Sequence, residues 1–200
     1  LALGSSSIIP NSKSKGLSHY FHKLIRMHPL NAANMNDEKC TEAVTIIKKY
    51  KIRMIYGYSS SIHLLARYVM ANKIDLPVEI CITTSEKLTD TYRSVIRKAF
   101  DCVVIDEYGA RDGGIYSYKC DEGNFHMIET CIFSTCKNDS GKGNIIATNL
   151  INYAMPLINY DIEDIITMNE NSCACGDSTF IFKDLIGRAS DVIELNNGNI

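Results

Sequence analysis

The sequence predicts an α/β protein in which a part with a parallel sheet is followed by a smaller antiparallel, β-barrel-like part. Between residues 36 and 110, short β-branched runs alternate with stretches of helical periodicity. Strands separated by helices of ten or more residues form parallel βαβ units. After residue 114 the helical periodicity stops, and short strand-like runs are separated by turn sequences. We therefore place a domain boundary after residue 114.

Four apolar runs are the predicted strands of the parallel sheet. The opening residues, LALGSSSIIP, indicate a strand that enters a core, and residues 53–58, 78–84 and 102–105 follow it. Ligands of such sheets bind outside the carboxyl ends of the strands. We expect the loops after Tyr58, Thr84 and Tyr108 to border one crevice.

Polar residues mark the starts of three predicted helices. Asn36 and Asp37 for one helix, and Thr89 for another, offer oxygens that can cap a helix ahead of apolar residues at helical spacing. Ser59–Ser61 are expected to cap the helix between these two. The antiparallel part then consists of short runs at 116–118, 125–129, 145–148 and 180–182.

Composition excludes several classes of function. The net charge of −2 gives no field that would hold a polyanion, so we expect no nucleic-acid partner. No run of eighteen apolar residues occurs, which argues against a membrane span. The eight cysteines are spread over 200 residues, unlike a short secreted disulfide framework. We expect a reduced, cytoplasmic chain.

The segment from Asp106 to Gly114 resembles the Y-G-x-x-E signature of adenylate-forming enzymes. The resemblance implies that Tyr108 and Gly109 bind adenine, and that Asp112 holds Mg²⁺ and is catalytic. Asp112 stands where most relatives have glutamate. Glycines let backbone approach a nucleotide closely, and a carboxylate suits Mg²⁺ among phosphates.

Two further segments resemble motifs of the same superfamily, in the same order. The run from Met155 to Asp164 is similar to P-L-I-R-Y-x-x-x-D, which implies that Asp164 binds the ribose hydroxyls. The run GRASDVI is similar to the G-R-x-x-D-x-I hinge motif, which implies that Arg188 contacts the nucleotide and that Ser190 is the pivot. This divides the second half into 115–186 and a hinge region, 187–200. Asn159 and Glu163 depart from the usual arginine and glycine.

Two stretches indicate the phenylacetate–CoA ligase and CapK-like branch. They are the run from Gly57 to Tyr68 and the run TTSE, whose Ser85 and Glu86 are implied to border the substrate pocket. The resemblance implies a ligase that uses ATP and Mg²⁺ to convert a small carboxylic acid into an acyl-adenylate. The acyl group then passes to CoA or another acceptor, with a role in capsular polysaccharide biosynthesis.

The 200 residues contain no match to the family's phosphate loop or its C-terminal lid with the catalytic lysine. We therefore interpret the chain as the middle part of an adenylate-forming N-terminal domain, inactive by itself. The alternative is a zinc-stabilised nucleotide- or partner-binding module that has lost catalysis. The sequence does not predict the oligomeric state.

The branch also implies a metal site. A Cys/His pair after the glycine turn and a C-x-C-G pair before the hinge recur together in it, here as Cys120, His126, Cys173 and Cys175. Three thiolates and an imidazole suit structural Zn²⁺, with His126 across a hairpin from Cys120. Cys131 and Cys136 are alternative ligands, and four unrelated reduced thiols with a strand histidine are the alternative to a site.

Overall fold

A computed structural model describes residues 1–5, 22, 24–110, 115–128, 132–137, 141–168, 172–188 and 190, with 115, 116 and 132–137 described by their backbone. The chain divides into two compact units, Leu1–Asp106 and Glu107–Ile200. The predicted boundaries after residues 114 and 186 remain predictions about domains. Among the described residues, no helix has both the length and the apolar character that crossing a membrane requires.

The first unit contains a parallel sheet. Its strands follow the order β2-β1-β3-β4-β5, and each neighbouring pair is parallel. The strands are β1 (Ala2–Gly4), β2 (Pro29–Asn31), β3 (Met54–Tyr58), β4 (Ile80–Thr84) and β5 (Val103–Ala110). This confirms the parallel α/β part of the predicted fold, with β2 as a strand that the sequence did not indicate.

In the part of the chain that the structure describes, three helices of eleven or more residues connect these strands: α1 (Asp37–Tyr50), α2 (Ser59–Ala71) and α3 (Asp90–Phe100). Asn36 accepts a hydrogen bond from the Lys39 N–H at 2.9 Å, and Thr89 accepts one from the Tyr92 N–H at 3.2 Å. Both predicted caps are thus confirmed. The apolar faces of the helices supply much of a buried core, which includes Ile47, Ile62, Leu65, Val69 and Ile96.

The cap predicted for Ser59–Ser61 is wrong. These serines lie inside α2, and the N-cap residue, Tyr58, makes no side-chain capping bond. Instead the carboxylate of Glu86, from the loop after β4, accepts from the Ser60 N–H at 2.9 Å. A carboxylate at a helix N-terminus is stabilising because it accepts from unpaired N–H groups and faces the positive end of the helix dipole.

The second unit is antiparallel throughout its described pairings. Its strands follow the order β5-β6-β7-β11-β10-β9-β8, where the second half of β5 pairs with β6. The new strands are β6 (Ile115–Lys119), β7 (Phe125–Met127), β8 (Ile132–Lys137), β9 (Lys142–Asn149), β10 (Tyr160–Met168) and β11 (Ile181–Arg188). The predicted change from parallel to antiparallel architecture is therefore confirmed.

Candidate functional site

Three residues from the three adenylate-type motifs lie together in the second unit. The Tyr108 hydroxyl donates to Oδ2 of Asp164 at 2.7 Å, and Nε of Arg188 lies 3.5 Å from Oδ1 of the same carboxylate. Tyr108 and Asp164 are buried, whereas the Arg188 side chain is 61% exposed. Strand pairing produces the contact, since Asp164 on β10 is the register partner of Arg188 on β11.

An irregularity in β10 shapes this site. Asp161 pairs with Ile146 and Ile165 pairs with Asn144, so residues 162–164 stand opposite a single residue of β9. Such a bulge bends a strand and redirects its side chains. Within it, Glu163 has φ of 64°, and its N–H donates to Oδ1 of Asp161 at 2.8 Å. This left-handed backbone explains why a glycine suits that position in the resembling branch.

Two of the three residues, Asp164 and Arg188, line a cavity of about 360 Å³. Carboxylates and one guanidinium give it a polar wall, and its lining comprises Gly109, Ala110, Tyr160, Asp161, Ile162, Glu163, Asp164 and Arg188. Burial, and then the hydrogen bond to Asp164, raise the pKa of Tyr108, so the phenol stays protonated and donates. The wall therefore offers acceptors for hydroxyl groups and one cation for an anionic group.

Of the two remaining residues predicted for the nucleotide site and hinge, the structure describes one. Asp112, the predicted Mg²⁺ and catalytic residue, lies outside the described residues. Ser190, the predicted pivot, is exposed just beyond the end of β11.

Ser85 and Glu86, the predicted substrate-pocket residues, lie in the first unit. Both are exposed, and Ser85 has a left-handed backbone with φ of 65°. Oε2 of Glu86 accepts from the Ser60 N–H at 2.9 Å and lies 3.4 Å from the Ser59 hydroxyl. The first residues of α2, which follow β3 directly, are therefore in contact with the loop after β4, as expected at neighbouring carboxyl ends of parallel strands.

The four residues of the predicted metal site converge in the second unit. The ligand atoms of Cys120, His126, Cys173 and Cys175 all lie within 4.8 Å of one another. Sγ of Cys120 is 3.6 Å from Sγ of Cys173, and Sγ of Cys175 is 3.3 Å from Nε2 of His126. Tetrahedral zinc with bonds of about 2.3 Å to sulfur separates its ligands by about 3.8 Å. The donor set and its spacing thus fit that ion.

Two turns bring these ligands together. Cys120 directly follows β6, and His126 lies in β7 across a turn closed by the Gly123 N–H donating to the Cys120 carbonyl at 3.0 Å. The predicted hairpin is thus confirmed. Cys173 and Cys175 lie in the loop before β11, where Gly176 adopts φ of 86°, a conformation that glycine tolerates at low cost.

The surroundings favour a thiolate at Cys173 and hold the imidazole of His126 in place. Hydrogen bonds from the Cys175 backbone and then from the Asn124 amide lower the pKa of Cys173 to about 6. His126 is fully buried, and its Nδ1 lies 3.1 Å from the Thr179 hydroxyl and 3.5 Å from a carboxylate oxygen of Asp177. Cys131 lies outside the described residues, and of Cys136 only the backbone is described.

Sequence reasoning missed the groups around the metal ligands. Asn124 lies within the Cys120–His126 hairpin, and Asp177 comes directly after the C-x-C-G turn. Their closeness in sequence to the proposed ligands was an available signal. Tyr118, which donates to Asp177, carried no such signal, because its contact depends on how two loops fold back on each other.

Comparison with known proteins gives a relative in sequence and several in structure. No family model matches the chain. The chain is 27% identical over 200 residues to Protein CapK of Staphylococcus aureus, an alignment that covers 97% of this chain and 44% of CapK. The chain thus spans less than half the length of this relative.

Solved structures of ligases share the fold. One is 2-hydroxyisobutyryl-CoA ligase in the postadenylation state with an acyl-AMP, at a TM-score of 0.71, 14% identity, and coverage of 98% of this chain and 45% of that chain. Another is coronafacic acid ligase from Pectobacterium brasiliense, at a TM-score of 0.59 and 15% identity, with coverage of 98% of this chain and 40% of that chain. A third is the anthranilate CoA ligase AuaEII with anthranoyl-AMP, at a TM-score of 0.57 and 10% identity, with coverage of 98% of this chain and 41% of that chain. The resemblance to CapK and to adenylate-forming ligases is therefore confirmed, and so is the fold.

Proposed function

We propose that this chain is part of an enzyme that uses ATP to activate a carboxylic acid. In the first step, a carboxylate oxygen attacks the α-phosphorus of ATP, an acyl-adenylate forms and pyrophosphate leaves. In the second step, a thiol such as that of CoA attacks the acyl carbon and AMP leaves. The observation that carries the proposal is the Tyr108–Asp164–Arg188 group beside a polar cavity. The acyl-AMP held by two of the structural neighbours supports it.

The geometry suits a nucleotide ribose. A carboxylate has about four lone-pair directions. Asp164 uses one for the Tyr108 hydroxyl and faces Arg188 with the other oxygen, so acceptor capacity remains for two vicinal hydroxyls. Tyr108 contributes here by fixing the Asp164 carboxylate through its hydrogen bond. Gly109 lines the cavity, and adenine would lie against the backbone of this residue. Arg188, largely exposed, is free to reach a ribose or phosphate oxygen.

Magnesium would supply charge neutralisation at the phosphates, and Asp112 is the residue we assign to it. A carboxylate is a suitable Mg²⁺ ligand because hard oxygen donors are what this ion prefers. Ser85 and Glu86 are proposed to border the pocket for the carboxylic acid, and Ser190 is proposed as the pivot of a hinge.

We further propose that Cys120, His126, Cys173 and Cys175 hold a structural zinc ion. The four ligand atoms leave no position for substrate, which is typical of structural and not catalytic zinc sites. The ion would join the β6–β7 hairpin to the loop before β11, adding to the side-chain contacts that Tyr118 and Asn124 already make with that loop. No step of the reaction passes through this site.

The second candidate function is a zinc-stabilised binding module without catalysis. Asn159 stands where the resembling motif has arginine, and a single guanidinium lines the cavity among three carboxylates. Both features lower the expected affinity for phosphate groups and leave the proposed ribose contacts unchanged. A role in capsular polysaccharide formation and a cytoplasmic location are proposed from the similarity to CapK.

Isotope exchange between pyrophosphate and ATP distinguishes the two functions. The natural protein that contains these 200 residues is incubated with ATP, labelled pyrophosphate and a panel of aromatic and aliphatic carboxylic acids. Acid-dependent exchange that is lost in Asp164→Ala supports the ligase. Absence of exchange with every acid, together with retained AMP binding, supports the binding module. The 200 residues alone are expected to give no exchange, because they contain no match to the phosphate loop or to the lid lysine. Losing even one such charge-neutralising donor costs about 3–4 kcal/mol of transition-state stabilisation.

A further inference from the structure

A chain of polar contacts lies behind His126, on the side of the ring away from the thiols. Nδ1 is 3.5 Å from Oδ2 of Asp177, and the Tyr118 hydroxyl donates to that same oxygen at 2.5 Å. The Thr179 N–H donates to the other oxygen at 2.9 Å. The ring of Tyr118 stacks on the imidazole, with centroids 5.5 Å apart and planes 21° apart.

We propose that Asp177 and Tyr118 position His126 as a metal ligand, a role that rests on the zinc site proposed above. Asp177, directly and through the Thr179 hydroxyl, favours the tautomer with the proton on Nδ1, so that the lone pair of Nε2 faces the three sulfur atoms. Tyr118 holds the carboxylate in place and fixes the plane of the ring by stacking. Neither residue contacts the metal.

The chemistry of the two Nδ1 neighbours separates their roles. The Thr179 hydroxyl lies closer to Nδ1, at 3.1 Å, and can donate or accept, but its side chain also hydrogen-bonds to the Asp177 carboxylate. A carboxylate only accepts, and it therefore favours the form in which Nδ1 carries the hydrogen. Because His126 is fully buried, water does not provide this selection. Carboxylate partners of this kind orient metal-binding histidines, and their loss typically lowers metal affinity 10–100-fold.

Asp177 and Tyr118 are both partly exposed, so each can be substituted without disturbing the packing of the core. The side chain of Asp177 is 29% exposed, and Tyr118 is 39% exposed. Asp177→Asn keeps the size of the side chain and removes the obligate acceptor. Tyr118→Phe keeps the stacked ring and removes the hydroxyl. Matched controls are Asp75→Asn and Tyr153→Phe, two exposed residues that lie outside this cluster.

The experiment measures zinc affinity by competition with a chromophoric chelator, and the tautomer of His126 by ¹⁵N NMR of the zinc-loaded protein. We expect Asp177→Asn to bind zinc about 10–100-fold more weakly and to show a mixture of tautomers. Tyr118→Phe should bind zinc about threefold to tenfold more weakly, a part of the effect of Asp177→Asn. Both control variants should bind zinc with wild-type affinity.

Wild-type affinity and tautomer in Asp177→Asn would overturn the positioning role while leaving the zinc site standing. If Asp177→Asn does not fold, Tyr118→Phe decides the matter, and unchanged affinity in that variant overturns the role. A wild-type chain that takes up no zinc overturns the site and this role together.

Discussion

Among single residues, Gly57 shows most clearly how packing restricts the sequence. Strands β1 and β3 pair there, with Leu3 opposite Gly57. A Cβ at position 57 would lie 2.0 Å from the Leu3 carbonyl oxygen, a distance that only backbone movement relieves. The requirement for glycine therefore comes from close approach of two strands.

Gly57→Ala is expected to lower the free energy of unfolding by about 3 kcal/mol, because overpacking here displaces backbone in the centre of a sheet. Urea denaturation followed by circular dichroism measures the change. Gly141→Ala is the control, since its Cβ meets nothing within 4 Å and its φ of 74° carries only local strain. We expect that control to lose about 1 kcal/mol. Equal losses in the two variants would contradict the packing explanation.

The residue scale also shows where sequence reasoning reached its limit. Asp164 and Tyr108 were singled out from separate motifs, and their hydrogen bond spans 56 residues of sequence. Motif spacing gives no distance between two such side chains. The Ser60–Glu86 contact was likewise hidden, since three consecutive serines before a helix are a common N-cap pattern, and the competing carboxylate lies on another loop.

The helices illustrate how local chemistry sets the ends of an element. Helix α3 ends at Asp101, which adopts φ of 48° and ψ of 48° and donates its N–H to the Arg97 carbonyl at 2.8 Å. This is the left-handed C-terminal cap that glycine usually occupies. An aspartate here is doubly unfavourable, because it strains the backbone and places negative charge near the helix C-terminus.

Asp101→Gly is therefore expected to stabilise the chain by about 1 kcal/mol through relief of these two effects. Lys98→Gly, in the last turn of the same helix, should instead destabilise it by about 1 kcal/mol. Thermal unfolding of both variants beside wild type tests the pair. Destabilisation by Asp101→Gly would show that the aspartate side chain has a role that its described contacts do not reveal.

At the element scale, strands bounded by clear turns were the predictable ones. The β6–β7 hairpin followed from the turn sequence Asp-Glu-Gly at residues 121–123, and the parallel strands other than β2 followed from their apolar runs. β10 was missed, because its first half carries Asp161, Glu163 and Asp164, and its bulge breaks the alternation of polar and apolar residues. The irregular stretch is the one that supplies the candidate site.

For the whole molecule, the two units differ in what holds them together. The first has a continuous apolar core of more than twenty buried residues. Among its described residues, the second has a smaller cluster, centred on Phe125 and Phe182, whose rings stack at 4.8 Å. A unit with a small core is the kind that gains most from a structural metal.

Removal of zinc should therefore destabilise the second unit. We expect about one zinc per chain by mass spectrometry of metals, and a fall of more than about 10 °C in the melting temperature of that unit after chelation. Cys173→Ser and His126→Ala should reproduce the fall, and Cys40→Ser, in the first unit, should leave the metal content unchanged. Metal-free protein that melts like the untreated sample would contradict the zinc assignment.

The central claim is that Asp164, fixed by Tyr108 and Arg188, binds the ribose of an adenine nucleotide. Titration calorimetry of AMP with wild type, Asp164→Ala and the control Asp184→Ala tests it most directly, since Asp184 is exposed on β11 outside the cavity lining. We expect wild type and Asp184→Ala to bind alike. Asp164→Ala should bind at least about tenfold more weakly, as expected when hydrogen bonds to a charged group are lost. AMP binding that is the same in all three proteins, or absent from wild type, would contradict the claim.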